Sequence, residues 1–217
     1  ILHLAAQPLV KVAYEDPAST FNTNVIGTAN VLEISRRLPS VKAVGVVTTD
    51  KVYRNDNSGR AFIESDPLEG KDPYSASKVG TEAAVAAWQQ IQRTSGGPKV
   101  VAVRAGNVIG GGDWGDNRLL ADLIRSFSSG QKMTVRNPAS TRPWQHVLEP
   151  VSSYLELAEQ LCKQPAVAGA YNFGPQTHEA ATVREVVLLA QSSYGQGQVI
   201  WGDGSEGPHE AGWLALE

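Results

Sequence analysis

Short apolar runs alternate with longer amphipathic stretches along the first half of the chain. Residues 1–5, 41–49 and 99–104 are short and mainly apolar, which is typical of strands covered on both faces. Helices are predicted from Asp16-Pro17 to about residue 38, and over about residues 74–94, with a polar loop at 55–71 between them. Strands that alternate with long helices predict a parallel sheet with right-handed crossovers.

The pattern changes after residue 105. Glycine-rich residues 106–115 predict a loop, and Thr182-x-x-Glu185 has the spacing of a helix capping box. Further elements are predicted from the apolar pattern: helices over about 118–129, 148–163 and from 182 onwards, and short strands at 133–135, 170–173 and 198–201. We therefore predict a sheet domain over residues 1–105 and a smaller mixed α/β lobe, interleaved with that sheet, over residues 106–217.

Composition narrows the class of protein. The 217 residues are 41% hydrophobic and 19% charged, with a net charge of −3 and no lysine/arginine cluster, so neither nucleic acid nor a membrane is predicted as a partner. Cys162 is the only cysteine, which excludes an internal disulfide and suits a reducing compartment. The histidines (His3, His146, His178, His209) lack metal-ligand spacing, so no metal site is expected.

The first residues already have the pattern of a buried strand, without an initiator methionine or a signal peptide ahead of them. The last residues end without a cap or a polar tail. We expect the sequence to be a fragment of a longer protein, cut at both ends.

Tyr74-Ser-Ala-Ser-Lys78 places a phenol and an ammonium on one helix face, because residues four apart nearly touch. A lysine charge beside a tyrosine favours the phenolate, which makes a general base near neutral pH. The same spacing also occurs in solvated pairs on amphipathic helices, so the surrounding sequence has to decide between the two.

Polar groups follow each of two predicted strands, at the edge where active sites of parallel sheets gather. They are Thr48-Thr49-Asp50-Lys51 and Arg104-Ala-Gly-Asn107, and the Tyr74 helix follows the first of them. Singly, Asp50 would serve as a turn former, Lys51 as a solvated cation and Asn107 as a left-handed loop residue. Together, in this order, the three groups favour a site.

Six stretches carry a family resemblance, the last two being the most specific: 3–10 (H-L-A-A-Q-P-L-V), 23–28 (T-N-V-I-G-T), 49–51 (T-D-K), 72–78 (D-P-Y-S-A-S-K), 104–114 (R-A-G-N-V-I-G-G-G-D-W) and 142–150 (R-P-W-Q-H-V-L-E-P). The chain resembles the extended short-chain dehydrogenase/reductases and, within them, the CDP-glucose 4,6-dehydratase family. The resemblance implies a Rossmann-type doubly wound parallel sheet, without its N-terminal strands, and a nucleotide-sugar-binding lobe.

The resemblance also implies a lyase reaction on CDP-glucose. Tyr74 would take the proton of the sugar 4-hydroxyl while a hydride passes to NAD, Thr49 would hydrogen-bond the same oxygen, and Lys78 would support Tyr74. Water would then leave across C5 and C6, with Asp50 as the acid and Lys51 as the base, and the hydride would return to C6. The acid and base would titrate as one coupled pair. In a competing view Lys51 stays cationic and stabilises the enolate.

The resemblance assigns binding residues as well. For NAD they are Leu4, Ala5, Ala6, Thr48, Tyr74, Lys78 and Arg104. For the nucleotide sugar they are Gln7, Asn107, Arg118, Leu119, Arg142 and His146. Met133 and Val135 would cover the cytosine, although a core strand explains them equally well. The run Gly110-Gly111-Gly112 lacks dinucleotide spacing, so the glycine-rich NAD turn is expected upstream of Ile1, where NAD or NADP is selected.

Three alternatives accompany this interpretation: another nucleotide-sugar dehydratase, a 4-epimerase, or a non-catalytic nucleotide-sugar-binding protein. An epimerase needs only Tyr74 and Lys78, so Asp50 and Lys51 argue against it. We further expect a cytoplasmic homodimer, paired through two helices of which one carries Tyr74.

Overall fold

The computed structural model describes residues 1–164, 169–205 and 211–217. The strands are β1 (Leu2–His3), β2 (Ala43–Val47), β3 (Lys99–Ala105), β4 (Asn107–Ile109), β5 (Lys132–Val135), β6 (Thr141–Arg142), β7 (Trp144–His146), β8 (Gly169–Phe173), β9 (Ala181–Thr182) and β10 (Gln198–Trp201). The helices are α1 (Val10–Glu15), α2 (Pro17–Phe21), α3 (Gly27–Arg37), α4 (Pro73–Ser95), α5 (Leu119–Ser128), α6 (Leu148–Lys163) and α7 (Val183–Tyr194). None of these helices is long and apolar enough to cross a membrane.

A parallel four-stranded sheet in the order β1-β2-β3-β8 forms the centre of the fold. The predicted parallel sheet with helical crossovers is therefore confirmed. The registers His3↔Val46, Val47↔Val103 and Arg104↔Asn172 bring the carboxyl ends of these strands to one edge. Polar groups that follow separate strands thus meet at that edge, as the sequence predicted.

Helices cover both faces of the sheet, and strand alternation sorts the side chains between them. One face packs α3 and α4 against buried β2 and β3 residues: Leu32, Val44, Val46, Val85, Val100 and Ala102. The opposite face packs α6 against the alternate positions: Ala43, Val101, Val103, Ala105, Tyr154, Leu157 and Leu161. This double coverage explains the nearly continuous apolar runs in the sequence.

The chain divides into two compact units. The first unit comprises residues 1–54, 62–105 and 148–173, and the second comprises residues 55–61, 106–147 and 174–217. Helix α6 and strand β8 belong to the first unit because α6 covers its sheet and β8 is the outer strand beside β3.

The second unit is built from three strand pairs. Strands β5 and β10 are parallel, β4 and β7 are parallel, and β6 and β9 are antiparallel. Its core lies between α5, α7 and β5 and consists of four buried side chains: Leu123, Phe127, Val135 and Val187. The predicted capping box is present at the start of α7, where Thr182 and Glu185 bond each other's backbone amides.

Strands β4 and β7 correct the prediction that residues 106–115 form only a loop. Two glycines flanking β4 allow the pair to approach closely. A Cβ at Gly106 would lie 2.6 Å from Pro143 Cγ, and one at Gly110 would lie 2.5 Å from Val147 Cγ1. The glycines that look like loop formers in the sequence therefore permit a tight strand pair.

The predicted helix over residues 16–38 is interrupted. Asp16 accepts a hydrogen bond from the Ser19 amide and Pro17 begins α2, as expected, but Asn22–Ile26 forms a π-helical segment before α3. Helix α1, Val10–Glu15, was not predicted. Such π turns frequently lie at functional sites, and here the turn carries the buried side chain of Asn24.

Two leucines on α6 offer a direct measure of the core. Leu161 is 1% exposed and Leu155 is 61% exposed. We expect Leu161→Ala to lower the free energy of unfolding by about 2–5 kcal/mol, because it opens a cavity beneath the sheet. Leu155→Ala is the matched control and should change it by less than about 0.5 kcal/mol. Urea unfolding of both variants measures this, and equal losses would contradict the assignment of α6 as a covering helix.

Candidate active site

The predicted catalytic triplet forms a 3₁₀ turn immediately after β2. The turn spans Asp50–Val52, and Thr49 caps it by accepting a hydrogen bond from the Lys51 amide at 3.4 Å. The Thr49 hydroxyl also donates to Asp50 Oδ1 at 3.1 Å. Thr49 and Asp50 are buried and Lys51 is half-buried. The turn therefore holds a hydroxyl, a carboxyl and an amine at the carboxyl end of the central strand.

Tyr74 and Lys78 lie on the first turns of α4. Asp72 caps this helix by accepting hydrogen bonds from the amide and hydroxyl of Ser75, and Pro73 occupies the first helical position. Tyr74 is 8% exposed and Lys78 is 5% exposed. A solvated pair on an amphipathic helix, the alternative that the sequence left open, is therefore wrong.

Helix α4 contacts the Asp50–Val52 turn. Lys78 Nζ donates a 3.0 Å hydrogen bond to the Val47 carbonyl at the end of β2, two residues before Thr49. The structure thus brings the Tyr74 helix and the Thr49–Lys51 triplet together within the first unit, as the sequence predicted.

Burial sets the charge state of Lys78. Removal of its ammonium from water lowers the pKa to about 8, against a weaker opposing attraction from Glu82. His3 also has a lowered pKa, first because it is partly buried and second because Lys78 is close. Its ring is fixed by a 3.2 Å contact between Nε2 and the Thr28 hydroxyl. Lys78 can therefore exchange a proton near neutral pH.

A buried ion pair lies beside this site, and the sequence analysis missed it. Glu82 and Arg104 are 7% and 4% exposed, and the guanidinium contacts both carboxylate oxygens at 2.9 Å. Thr48 donates to Glu82 Oε1 at 2.6 Å. Glu82 stands four residues after Lys78, on the same helix face, which is the one sequence signal that pointed to it.

Arg104 makes further contacts inside the first unit. Its Nη1 donates to the Tyr53 hydroxyl and to the Glu64 carbonyl, both at 2.9 Å, and the Tyr53 hydroxyl donates to Asn172 Oδ1 at 2.6 Å. Burial alone would lower the pKa of Arg104, but the hydrogen bonds and charge interactions with Glu82 and Tyr53 together outweigh burial and raise it. Burial also raises the pKa of Tyr53, so both groups keep their protons.

These contacts revise two expected roles. The resemblance assigned Thr48 and Arg104 to NAD, but Thr48 donates to Glu82 and Arg104 is bonded to Glu82, Tyr53 and Glu64. The geometry favours an organising role for both side chains over a contact with a cofactor.

Gln7 is revised for the same reason. Its side chain donates to the Thr20 hydroxyl at 2.9 Å and accepts from the Leu9 amide at 2.6 Å. The Gln7 backbone pairs with buried Asn24, whose amide also donates to the Ser77 hydroxyl on α4 at 2.8 Å. Gln7 therefore ties the loop after β1 to the π turn and α4, which favours an internal role over substrate binding. Leu4, Ala5 and Ala6 lie in the same loop, with Leu4 55% exposed.

The remaining substrate candidates belong to the second unit. Asn107 begins β4 and His146 ends β7, where its side chain is exposed. Arg118 precedes α5 and lies 3.5 Å from Asp113, whereas Arg142 is buried and donates to the Thr141 carbonyl. Burial of Arg142 excludes a plain surface cation.

Other candidate positions in that unit belong to its core. Leu119, Met133 and Val135 pack in the cluster between α5 and α7, which favours the core-strand explanation for the last two. Within the described ranges no cluster of histidine, cysteine, aspartate or glutamate could hold a metal ion, and His209 lies outside those ranges.

Residues 1–174 match the NAD dependent epimerase/dehydratase family. The chain belongs to this family. The family description names NAD, which confirms the cofactor predicted from the sequence. The chain is also 41% identical, over its whole length, to the CDP-glucose 4,6-dehydratase of Salmonella typhimurium, of which it spans 62%. This confirms the resemblance from which the site was predicted.

Solved structures agree on the fold. The Thermus thermophilus UDP-glucose 4-epimerase, solved with NAD, superposes on the whole chain with a TM-score of 0.80 at 27% identity, with 68% of that protein covered. The dTDP-glucose 4,6-dehydratase DesIV of Streptomyces venezuelae, also solved with NAD, gives a TM-score of 0.79 at 25% identity, with 64% covered. Family members with the same sheet thus carry out different reactions, so the reaction must be argued from side chains.

Burial of Lys78 makes the stability of the folded protein depend on pH. Its pKa is near 10.5 when unfolded and about 8 when folded, so the unfolded chain binds more protons between these values and stability rises with pH. Below about pH 8 both states are protonated and the cost of burying the charge is fully present.

We therefore expect the stability of Lys78→Met, relative to wild type, to be greater at about pH 7 than at about pH 10. Taking this difference between two pH values removes the constant effect of losing the bond to Val47. Urea unfolding at both pH values measures it, with exposed Lys163→Met as the control that should follow the wild-type curve. A pH-independent difference for Lys78→Met would contradict the assignment.

Proposed function

We propose that the protein is an NAD-dependent lyase that converts CDP-glucose to CDP-4-keto-6-deoxyglucose. The observation that carries the proposal is the packing of the Thr49-Asp50-Lys51 turn against the helix of Tyr74 and Lys78. The first group supplies an acid and an amine for elimination, and the second supplies the base for oxidation. The relation to the Salmonella enzyme supports CDP-glucose as the substrate.

NAD fits the residues present at the edge of the sheet. The loop after β1 offers exposed Leu4 and Ala5 and half-buried Ala6, and the buried Lys78 ammonium is suited to a ribose hydroxyl. When bound, NAD supplies a hydride acceptor that returns the same hydride later. We assign its binding to these residues together with the Tyr74 hydroxyl, and leave Thr48 and Arg104 as organising residues.

Oxidation at C4 depends on Tyr74, Lys78 and Thr49. The Tyr74 phenolate removes the proton of the sugar 4-hydroxyl, and the nearby Lys78 ammonium stabilises that phenolate. When substrate binds, the Thr49 hydroxyl turns from Asp50 to donate its hydrogen bond to the oxygen that becomes the ketone. The resulting 4-ketone acidifies the proton on C5, which prepares the second stage.

Elimination depends on Asp50 and Lys51. Asp50 is 3% exposed, an environment that suits a carboxyl that must hold a proton, and it donates that proton to the departing 6-hydroxyl. Lys51 either removes the C5 proton or remains cationic and stabilises the enolate. Water leaves across C5 and C6, and delivery of a hydride to C6 and return of a proton to C5 complete the product.

Nucleotide-sugar binding is assigned to the second unit. A diphosphate favours arginine, and Arg142 and Arg118 supply one buried and one partly exposed guanidinium. Asn107 and His146 add polar groups at opposite ends of the β4–β7 pair, where they lie on paired strands.

A second copy of the chain is the partner that we propose. The stretch of α2, the π turn and α3 leaves large apolar side chains exposed, with 40–58% of their surface accessible: Phe21, Ile26, Ile34 and Leu38. Charged Glu33, Arg36 and Arg37 border this face, as at the rim of an interface. Light scattering should give the dimer mass.

We also assign the protein to the cytoplasm. The free thiol of Cys162 and the use of NAD suit that compartment.

The reaction is tested by incubating the complete protein with NAD and CDP-glucose. We expect the 4-keto-6-deoxy sugar to form, and to form much more slowly from dTDP-glucose. Mass spectrometry of the product, which has lost one water, separates this outcome from epimerisation, which conserves mass. Formation of CDP-galactose without loss of water would instead identify a 4-epimerase.

Lys51 distinguishes the two stages of the reaction. We expect Lys51→Ala to abolish the 4-keto-6-deoxy product while reduction of bound NAD stays detectable, because oxidation at C4 does not use Lys51. Near-ultraviolet absorbance of the reduced nicotinamide, measured with product analysis, checks this. Lys42→Ala, on the exposed surface, is the control and should retain both stages. Unchanged turnover of Lys51→Ala would remove Lys51 from the mechanism.

A further inference from the structure

The ion pair of Glu82 and Arg104 connects the two groups of proposed catalytic residues. Glu82 stands on α4, one turn after Lys78, and Arg104 lies near the end of β3. Thr48 and Tyr53, which flank the Thr49–Val52 segment, both bond to this pair. The catalytic turn is therefore held at each end by one buried pair.

The contacts with Glu82 fix the orientation of the Arg104 guanidinium. Nε and Nη2 of Arg104 donate to the two oxygens of Glu82, each at 2.9 Å, so the guanidinium plane is fixed by a bidentate contact. The remaining terminal nitrogen, Nη1, then points to the Tyr53 hydroxyl at 2.9 Å. Arg104 also lies over the Tyr53 ring, 5.0 Å from its centroid. A lysine cannot make both the bidentate contact and the bond to Tyr53.

A second layer of contacts fixes Tyr53 itself. Its hydroxyl donates to Asn172 on β8, and its ring stacks on Phe62 at a centroid distance of 4.9 Å. The side-chain amide of Asn172 donates to the Phe62 carbonyl at 2.8 Å. The far end of the catalytic turn is therefore tied to the outer strand of the sheet as well as to α4.

We propose that Glu82 and Arg104 are positioning residues that set the register of the Thr49-Asp50-Lys51 turn against Tyr74 and Lys78, and that the elimination step depends on this register. The inference rests on the proposed dehydratase function. Oxidation at C4 relies on Tyr74 and Lys78, both on α4, and on only one side chain of the turn, Thr49. Elimination additionally needs the Asp50 and Lys51 side chains at the correct distance from the same sugar ring.

Stability alone does not explain the pair. Taking two charges out of water is costly, and apolar replacements of buried ion pairs are often neutral or stabilising. A packed apolar pair would join α4 to β3 equally well, but Thr48 would lose its bond to Glu82 and Tyr53 would lose its bond from Arg104. The contacts at the two ends of the turn are what the ion pair provides beyond packing.

The first test compares the two stages of the reaction in the complete protein. Arg104→Lys keeps the charge, and Glu82→Leu/Arg104→Met keeps an apolar contact. In both we expect product formation to fall by on the order of 10²-fold while the reduction of bound NAD falls much less, since small misplacements of reacting groups have effects of this size. Tyr53→Phe removes one end of the tether, so a smaller loss of product formation is expected.

The exposed contact of Lys163 with Glu159 supplies the control. Lys163→Arg exchanges the two cations in a surface ion pair of α6 and should leave both stages unchanged. A purely structural role for the buried pair would lower both stages together, in proportion to the folded fraction measured by unfolding. Such a proportional loss would overturn the inference. It would also be overturned if Arg104→Lys kept the wild-type ratio of product formation to reduction of bound NAD.

The second test does not depend on activity. Hydrogen exchange of the Lys51 and Val52 amides, which bond to Thr49, reports the order of the turn. We expect these amides to exchange faster in Arg104→Lys and in the double variant, while the amides in the middle of α4 keep wild-type rates. If the wild-type protein does not dehydrate CDP-glucose, the proposed function fails while this measurement still tests the tether. Unchanged exchange of the turn would refute the tether whatever the activity.

Discussion

The bidentate contact of Arg104 with Glu82 joins three elements that the chain makes separately: α4, the end of β3 and the turn after β2. Its bonds can form only if the helix and both strands have their final register, because the guanidinium and carboxylate planes must coincide. The contact therefore selects one arrangement among many that would bury a similar apolar area. Lys78, one turn away, anchors to the end of β2 and strengthens the same selection.

Much of this fold follows from local sequence signals. The β-branched runs around Val44 and Val101 indicate strands covered on both faces, and Asp72-Pro73 indicates the start of α4. Strands β4 and β7 could not be predicted, because the glycines beside them have their meaning only through Pro143 and Val147, which lie more than thirty residues along the chain. The π turn at Asn24 depends likewise on a bond to α4.

The residues of the site likewise fall into two groups, those that local sequence signals predict and those that they do not. Tyr74 and Lys78 are four residues apart, so the helix geometry that unites them is local and predictable. Thr49, Asp50 and Lys51 are consecutive and follow a strand, which is also a local signal. The hydrogen-bond partners of the Arg104 and Gln7 side chains were not predictable, because a position at a strand end does not tell which partner a long side chain reaches. Tyr53 and Asn172 are 119 residues apart, and only the folded sheet joins them.

The outer strand β8 has a consequence for biosynthesis. It pairs with β3 only after the ribosome has made all of residues 106–147, which belong to the other unit. Until then β3 presents an unpaired edge, and Tyr53 lacks Asn172. A nascent chain in this state exposes apolar strand surface that other chains can capture. The length of the inserted segment therefore sets how long a nascent chain presents this unpaired edge.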